Sequence, residues 1–189
     1  MLEDFLKYQA KTTPNPLGLE IDRANGSYIF DTQGKSYLDF IAGVSALPLG
    51  HSHPKVVNAL RSQIEKYMHV MVYGEFAQAP AVKLCKQLVG LLPKKHEVVY
   101  LTNSGTEAIE GALKLAKRVT GRSGLIAAQN SYHGSTHGAL SLMGYENQKK
   151  RYRPLLPGVR FIQFNNMEDL DQIDQSTAAV LLELSLIHI

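Results

Sequence analysis

The sequence has no tryptophan, one cysteine and little excess charge. Cys85 stands alone among 189 residues, which excludes an intrachain disulfide and fits a reducing compartment. No apolar run approaches the ~20 residues of a membrane-spanning helix. The opening MLEDFLKYQAK carries acid early and lacks an apolar stretch, so no secretory leader is expected. Asn25-Gly26-Ser27 matches a glycosylation sequon but reads as a turn. A net charge of +3 is too small to argue for nucleic acid. These absences point to a cytoplasmic protein with neither membrane nor nucleic acid as partner. What is present, 44% hydrophobic and 20% charged residues, describes a globular chain able to bury a core. There is no internal repeat and no low-complexity segment.

Residues 19–40 break at two glycine turns, Asn25-Gly26 and Gln33-Gly34, between runs rich in aromatic and β-branched residues, which predicts a small antiparallel meander. Residues 41–54, apolar but punctuated by glycine and proline, read as a loop crossing a core. Helical spacing follows in Val56, Leu60, Ile64 and Tyr67, then in Val82, Leu84, Leu88 and Leu91. Short apolar strands are expected at 97–102, 124–129, 159–164 and 178–183. Strands alternating with helices predict an α/β fold with a mainly parallel sheet.

The stretch LTNSGTEAIEGALKLAKR, residues 101–118, passes from strand through a turn of small and hydroxyl residues into a helix. Ile109, Leu113, Ala116 and Thr120 share one face, with Lys114, Lys117 and Arg118 directed away. Ser104 precedes Glu107 by the spacing of a capping box, so a serine-capped amphipathic helix accounts for the pattern. A second reading adds to this. Free amides and the helix dipole create an anion site beyond the carboxyl end of a parallel strand. Gly105 admits close approach of a phosphate, and the Ser104 and Thr106 hydroxyls add donors. Neither G-x-x-x-x-G-K-S/T nor G-x-G-x-x-G after a strand is present, so the anion is not expected to be a nucleotide.

Residues 130–144, NSYHGSTHGALSLMG, follow the next strand. Tyr132 and His133, between small residues, either present a flat face to an aromatic ligand or form a loop with a core tyrosine and a backbone-bonded histidine. His137 has no evident partner and reads as structural. His51 and His53 lack a third ligand, so no metal site is expected. The run Lys149-Lys150-Arg151-Tyr152-Arg153 reads as a solvated loop rather than as a docking surface for acidic partners.

Together these motifs resemble the N-terminal half of a class III (subgroup II, fold type I) pyridoxal-phosphate aminotransferase, of the acetylornithine/ornithine aminotransferase kind. Residues 26–40 are similar to the family's G-x-Y-x-x-D-x-x-G-x-x-Y-L-D-F meander, and residues 50–54 to its G-H-x-H-P turn. Residues 103–107 resemble its N-S-G-T-E phosphate loop, and Tyr132-His133-Gly134 its aromatic-H-G motif. The resemblance runs from about residue 15 to Glu183. It implies part of a fold type I large domain over residues 51–183, preceded by a meander segment over 1–50, with 184–189 as a tail outside the family pattern. It also implies that pyridoxal 5'-phosphate is the cofactor, held through its phosphate by Ser104, Gly105 and Thr106. Tyr132 would stack on the ring with His133 close by. The partners implied are an amino acid or amine donor, a keto acid acceptor and a second copy in a homodimer. By the same resemblance, His51 and His53 are structural.

The sequence departs from the family pattern in three places. The aspartate for the ring nitrogen and the Schiff-base lysine belong to segments after Glu183, where Leu184–Ile189 replaces a Pro-Ile/Val-Gln-Gly-Glu stretch. No catalytic residue is therefore assigned, and the 189-residue polypeptide is expected to be a fragment unable to transaminate alone. Ser135 stands where acetylornithine-type members carry an arginine for the substrate α-carboxylate, which places an ω-amino acid or diamine donor beside an α-amino acid. Ile109 replaces an asparagine and fits the apolar face. Two function classes follow: part of an aminotransferase, or a non-catalytic fragment that binds pyridoxal phosphate or a partner subunit.

Overall fold

The computed structural model describes residues 1–71 and 74–183. The tail expected over 184–189 lies outside the described residues. Two compact units are present, Met1–Ala77 and Gln78–Ile189.

In the first unit a helix, α1 (Leu2–Tyr8), precedes an antiparallel sheet of β1 (Ile21–Asn25), β2 (Tyr28–Asp31) and β3 (Ser36–Leu38), in the order β1-β2-β3. This is the expected meander. Pairing of Asn25 with Tyr28 leaves a two-residue turn, and Gly26 takes a φ of 55° there at no steric cost. Asp31 closes the second turn. Its Oδ1 accepts the N–H groups of Gln33 at 3.0 Å and Lys35 at 2.9 Å, while the Tyr37 hydroxyl donates to Oδ2 at 2.9 Å.

The His-x-His turn is tied to this meander. Gly26 and His51 exchange two backbone hydrogen bonds, of 3.0 and 2.8 Å. The His51 imidazole meets Asp39 Oδ2 at 2.7 Å, and Asp39 Oδ1 accepts the N–H groups of Ile41 and Ala42. The expectation of a core-crossing loop fails within this unit. Ala42–Ser45 forms a short left-handed turn, α2, and Ile41, Val44 and Leu49 are all exposed. The helix α3 (Pro54–Ile64) starts on a proline, whose fixed φ suits that position. Its apolar positions Val56, Leu60 and Ile64 are exposed in this unit, and Tyr67 lies past its end.

The second unit contains the core. Its elements are α4 (Ala79–Leu91), α5 (Gly105–Thr120), β4 (Gly124–Ala128), α6 (His137–Ser141), α7 (Glu146–Lys149), β5 (Val159–Ile162) and β6 (Thr177–Leu181). The strands form a parallel sheet in the order β5-β4-β6. The central strand, Gly-Leu-Ile-Ala-Ala, is buried throughout, as expected for an apolar run flanked on both sides. Leu125 and Ala127 share one face and join Leu113 of α5 and Leu142 in the core, with Ile109, Phe161 and Leu181 packed around them. The α5 face read from the sequence holds at Ile109, Leu113 and Ala116. Thr120 is exposed, and Lys117 is half-buried rather than directed away.

Two expectations are corrected. Residues 97–102 form no strand, because no described segment pairs with them. They take no regular secondary structure, and Val98 and Tyr100 are exposed. On α4 the half-buried stripe is Ala81, Cys85, Leu88 and Val89, while Val82, Leu84 and Leu91 face outward. The first set keeps the i, i+4, i+7, i+8 spacing of one helical face, which the second does not. Among the described residues no helix is long and apolar enough to cross a membrane.

Leu125 is fully inaccessible to solvent. Leu125→Ala should therefore destabilise the protein by about 2–5 kcal/mol, read as a lower urea midpoint with little change in slope.

Candidate active site

The turn before α5 has the geometry of a helix start. Ser104 is the extended N-cap, and its hydroxyl accepts the Glu107 N–H at 3.3 Å. The Glu107 carboxylate reaches back to the N–H of Asn103 at 2.8 Å, one residue beyond the usual capping-box partner. The N–H groups of Gly105 and Thr106 meet no acceptor among the described residues. A Cβ on Gly105 would have nothing within 4 Å. The cap is thus formed while two donors stay free at the positive end of a 16-residue helix.

The loop after β4 comes to the same place. Ser131 Oγ donates to the carbonyl of Ala128 at 2.7 Å, which turns the chain as it leaves the strand. Glu183, just past β6, accepts the Tyr132 N–H at 2.9 Å. At the far end Thr136 Oγ1 and Thr106 Oγ1 lie 2.6 Å apart, and the Thr136 N–H donates to Thr106 Oγ1 at 3.3 Å. Between these anchors Gly134, at a φ of 120°, passes so close to α5 that a Cβ would lie 2.4 Å from Thr106 Cβ. The two sequence motifs therefore meet at the carboxyl edge of the parallel sheet.

Within the loop, Tyr132 is 53% exposed and its hydroxyl contacts Ser135 Oγ at 3.3 Å. His133 is buried, and its Nε2 has no partner among the described residues. Burial lowers the His133 pKa, and the nearby Glu183 carboxylate opposes that shift. His137, read as partnerless, meets the Pro154 carbonyl at 2.9 Å through Nε2. Sequence reasoning missed Glu110, Thr136 and Glu183 as the anchors of this loop. For Glu110 a signal was present, a carboxylate one helical turn after Thr106 and adjacent to the apolar face.

The basic run is also corrected at one position. Lys149 is buried. Its ammonium donates to the Met143 carbonyl at 2.7 Å and lies 3.8 Å from the centre of the Phe161 ring, while residues 150–153 are exposed. A long aliphatic stem and a carbonyl within reach make that burial tolerable. Desolvation lowers the Lys149 pKa, against the attraction of Glu146. Among the described residues no group of three or more potential metal ligands occurs.

A family model, aminotransferase class-III, matches residues 8–188. The chain belongs to the class III aminotransferases. It is 39% identical over 166 residues to a LysW-aminoadipate semialdehyde/glutamate semialdehyde transaminase of Sulfurisphaera tokodaii, covering 88% of this chain and 42% of the relative. It is 38% identical to an acetylornithine aminotransferase of Archaeoglobus fulgidus, covering 87% of this chain and 43% of that protein. Among solved structures, a taurine:2-oxoglutarate aminotransferase of Bifidobacterium kashiwanohense, in complex with pyridoxal phosphate and glutamate, superposes with a TM-score of 0.84. Its identity is 28%, over 95% of this chain and 46% of that one. The chain thus spans less than half the length of the relatives it matches. The fold is that of fold type I aminotransferases, and class III aminotransferases depend on pyridoxal phosphate. The donor set at the α5 turn fits such a group, with two amides and one buried imidazole nitrogen that have no partner among the described residues, beside an exposed aryl face.

Two outcomes follow from this geometry. Gly134→Ala places a methyl group against Thr106 at a positive φ and should cost about 1–3 kcal/mol, with faster amide exchange across residues 132–136. His133, its pKa depressed in the fold, takes up a proton later than it does in the unfolded chain. Stability should be retained above the ordinary histidine pKa and fall as pH drops through about 6.5 towards the depressed value. Urea midpoints across that range should lose part of this slope in His133→Gln.

Proposed function

We propose that this chain forms the cofactor cradle of an aminotransferase that moves an amino group from an amino acid or amine donor to a keto acid. The observation carrying this reading is the meeting of Thr106 with Gly134 and Thr136, which brings the turn before α5 and the loop bearing Tyr132 to one sheet edge. In this reading the amides of Gly105 and Thr106, with the hydroxyl of Ser104, hold the phosphate of pyridoxal phosphate, while the Thr106 hydroxyl is taken by Thr136. Tyr132 lies against the ring, and the unpartnered nitrogen of His133 faces the same ligand. When bound, the cofactor supplies an electron sink for the carbanion left by a departing α-proton.

The protein's own groups bind and orient. A helix N-terminus favours the phosphate charge. The free amides need no reorganisation to receive it, and the loop anchors hold the aryl face in place beforehand. Ser135 bears on the donor. A serine offers no bidentate grip on an α-carboxylate, so the reading includes terminal amines beside α-amino acids. We further read the working protein as a homodimer, as the family resemblance implies, and as cytoplasmic, in keeping with its lone cysteine.

The test is a titration of the purified protein with pyridoxal phosphate, followed by absorbance and by quenching of tyrosine emission. Saturable binding is expected, and Tyr132→Ala should weaken it by about two- to tenfold, the worth of one ring contact at ~0.5–1.5 kcal/mol. No saturable binding to the unmodified protein would overturn the assignment. With binding established, a donor screen separates α-amino acids from terminal amines.

A further inference from the structure

Thr106 and Glu110 are four residues apart on α5 and share a helical face. Thr106 takes Thr136, and Glu110 takes the turn that follows. Glu110 Oε1 accepts the N–H of Gly138 at 2.8 Å and that of Ala139 at 3.2 Å. Only a glycine lets the carboxylate sit there, because a Cβ at residue 138 would lie 2.3 Å from Oε2. Burial works against the Glu110 charge, but hydrogen bonds from Thr136, Ala139 and Gly138, with Lys114 nearby, hold its pKa below the ordinary value. The aryl loop is therefore fixed at its far end by two side chains of one helix face. That same helix begins with the free amides of Gly105 and Thr106.

We propose that Glu110 is a positioning residue of the cofactor site. By gripping the amides of Gly138 and Ala139 it sets how far Tyr132 and His133 stand from the phosphate turn. The inference rests on the cofactor reading above. It has a distinctive consequence, because inorganic phosphate needs only the turn, whereas pyridoxal phosphate needs the turn and the aryl loop in register. Disturbing Glu110 weakens the second ligand selectively, while a general loss of structure weakens both.

The experiment titrates the protein and its Glu110→Ala and Glu110→Gln variants with pyridoxal phosphate and, separately, with inorganic phosphate, and records amide exchange over residues 132–139. Removing a charged hydrogen-bond acceptor should cost the alanine variant about tenfold or more in affinity for pyridoxal phosphate. Affinity for inorganic phosphate should change by less than about twofold, as expected for a turn whose donors are untouched. Exchange should quicken within 132–139. Glutamine, whose carbonyl still accepts an amide, should recover part of the loss. Parallel losses for both ligands, or unaltered affinity for pyridoxal phosphate, overturn the proposal. Should the alanine variant not fold, the glutamine variant decides by the same comparison. Failure of the unmodified protein to bind pyridoxal phosphate overturns the cofactor reading and this inference together, whereas binding that neither variant alters overturns this inference alone.

Discussion

All five residues of β4 are closed to water, and parallel neighbours on either side take up its backbone groups. Everything at the candidate site depends on this arrangement. Parallel strands deliver their carboxyl ends to one edge, so the loop after β4 and the residues after β6 emerge side by side. The helix packed on the sheet through Leu113 starts at that same edge, as the Thr106–Thr136 contact shows. The site is thus a by-product of strand direction, and the loops only complete it.

The face of α5 changes character along its length. Leu113 and Ile109 bury apolar surface against the sheet. Interleaved with them, Thr106 and Glu110 use hydrogen bonds to hold a loop. At the first turn, the amides of Gly105 and Thr106 meet no acceptor among the described residues. Packing and loop-holding groups therefore alternate along one helix, so the rigidity of the core is transmitted to the loop after β4.

Much of this was legible in the sequence. The three paired strands of the second unit announce themselves as apolar runs, and the glycines of the meander mark its turns. The Ser104–Glu107 spacing marked a helix start and the two motifs at 103–107 and 132–134 marked the family. Other features depended on partners that local pattern does not reveal. Residues 97–102 have a strand's composition, but a strand exists only where another backbone pairs with it. The stripe on α4 was misread because leucines outweighed Ala81 and Cys85, which are smaller but correctly spaced. Glu110 and Glu183 look like surface carboxylates until the amides of a distant loop are brought to them. His137 looked partnerless because its acceptor is the backbone of Pro154, and a carbonyl leaves no trace in residue identity.

Lys149 shows how burial edits a run of charge. Four cations stand in the segment 149–153, yet one is turned inward against Phe161 and the Met143 carbonyl. The field at the surface therefore comes mainly from Lys150 and Arg151, since Arg153 is paired with Glu146 at 2.7 Å. An amine so enclosed is also less open to acylating reagents than the exposed amine of Lys150. In that respect the most basic-looking stretch of the chain is chemically two different places.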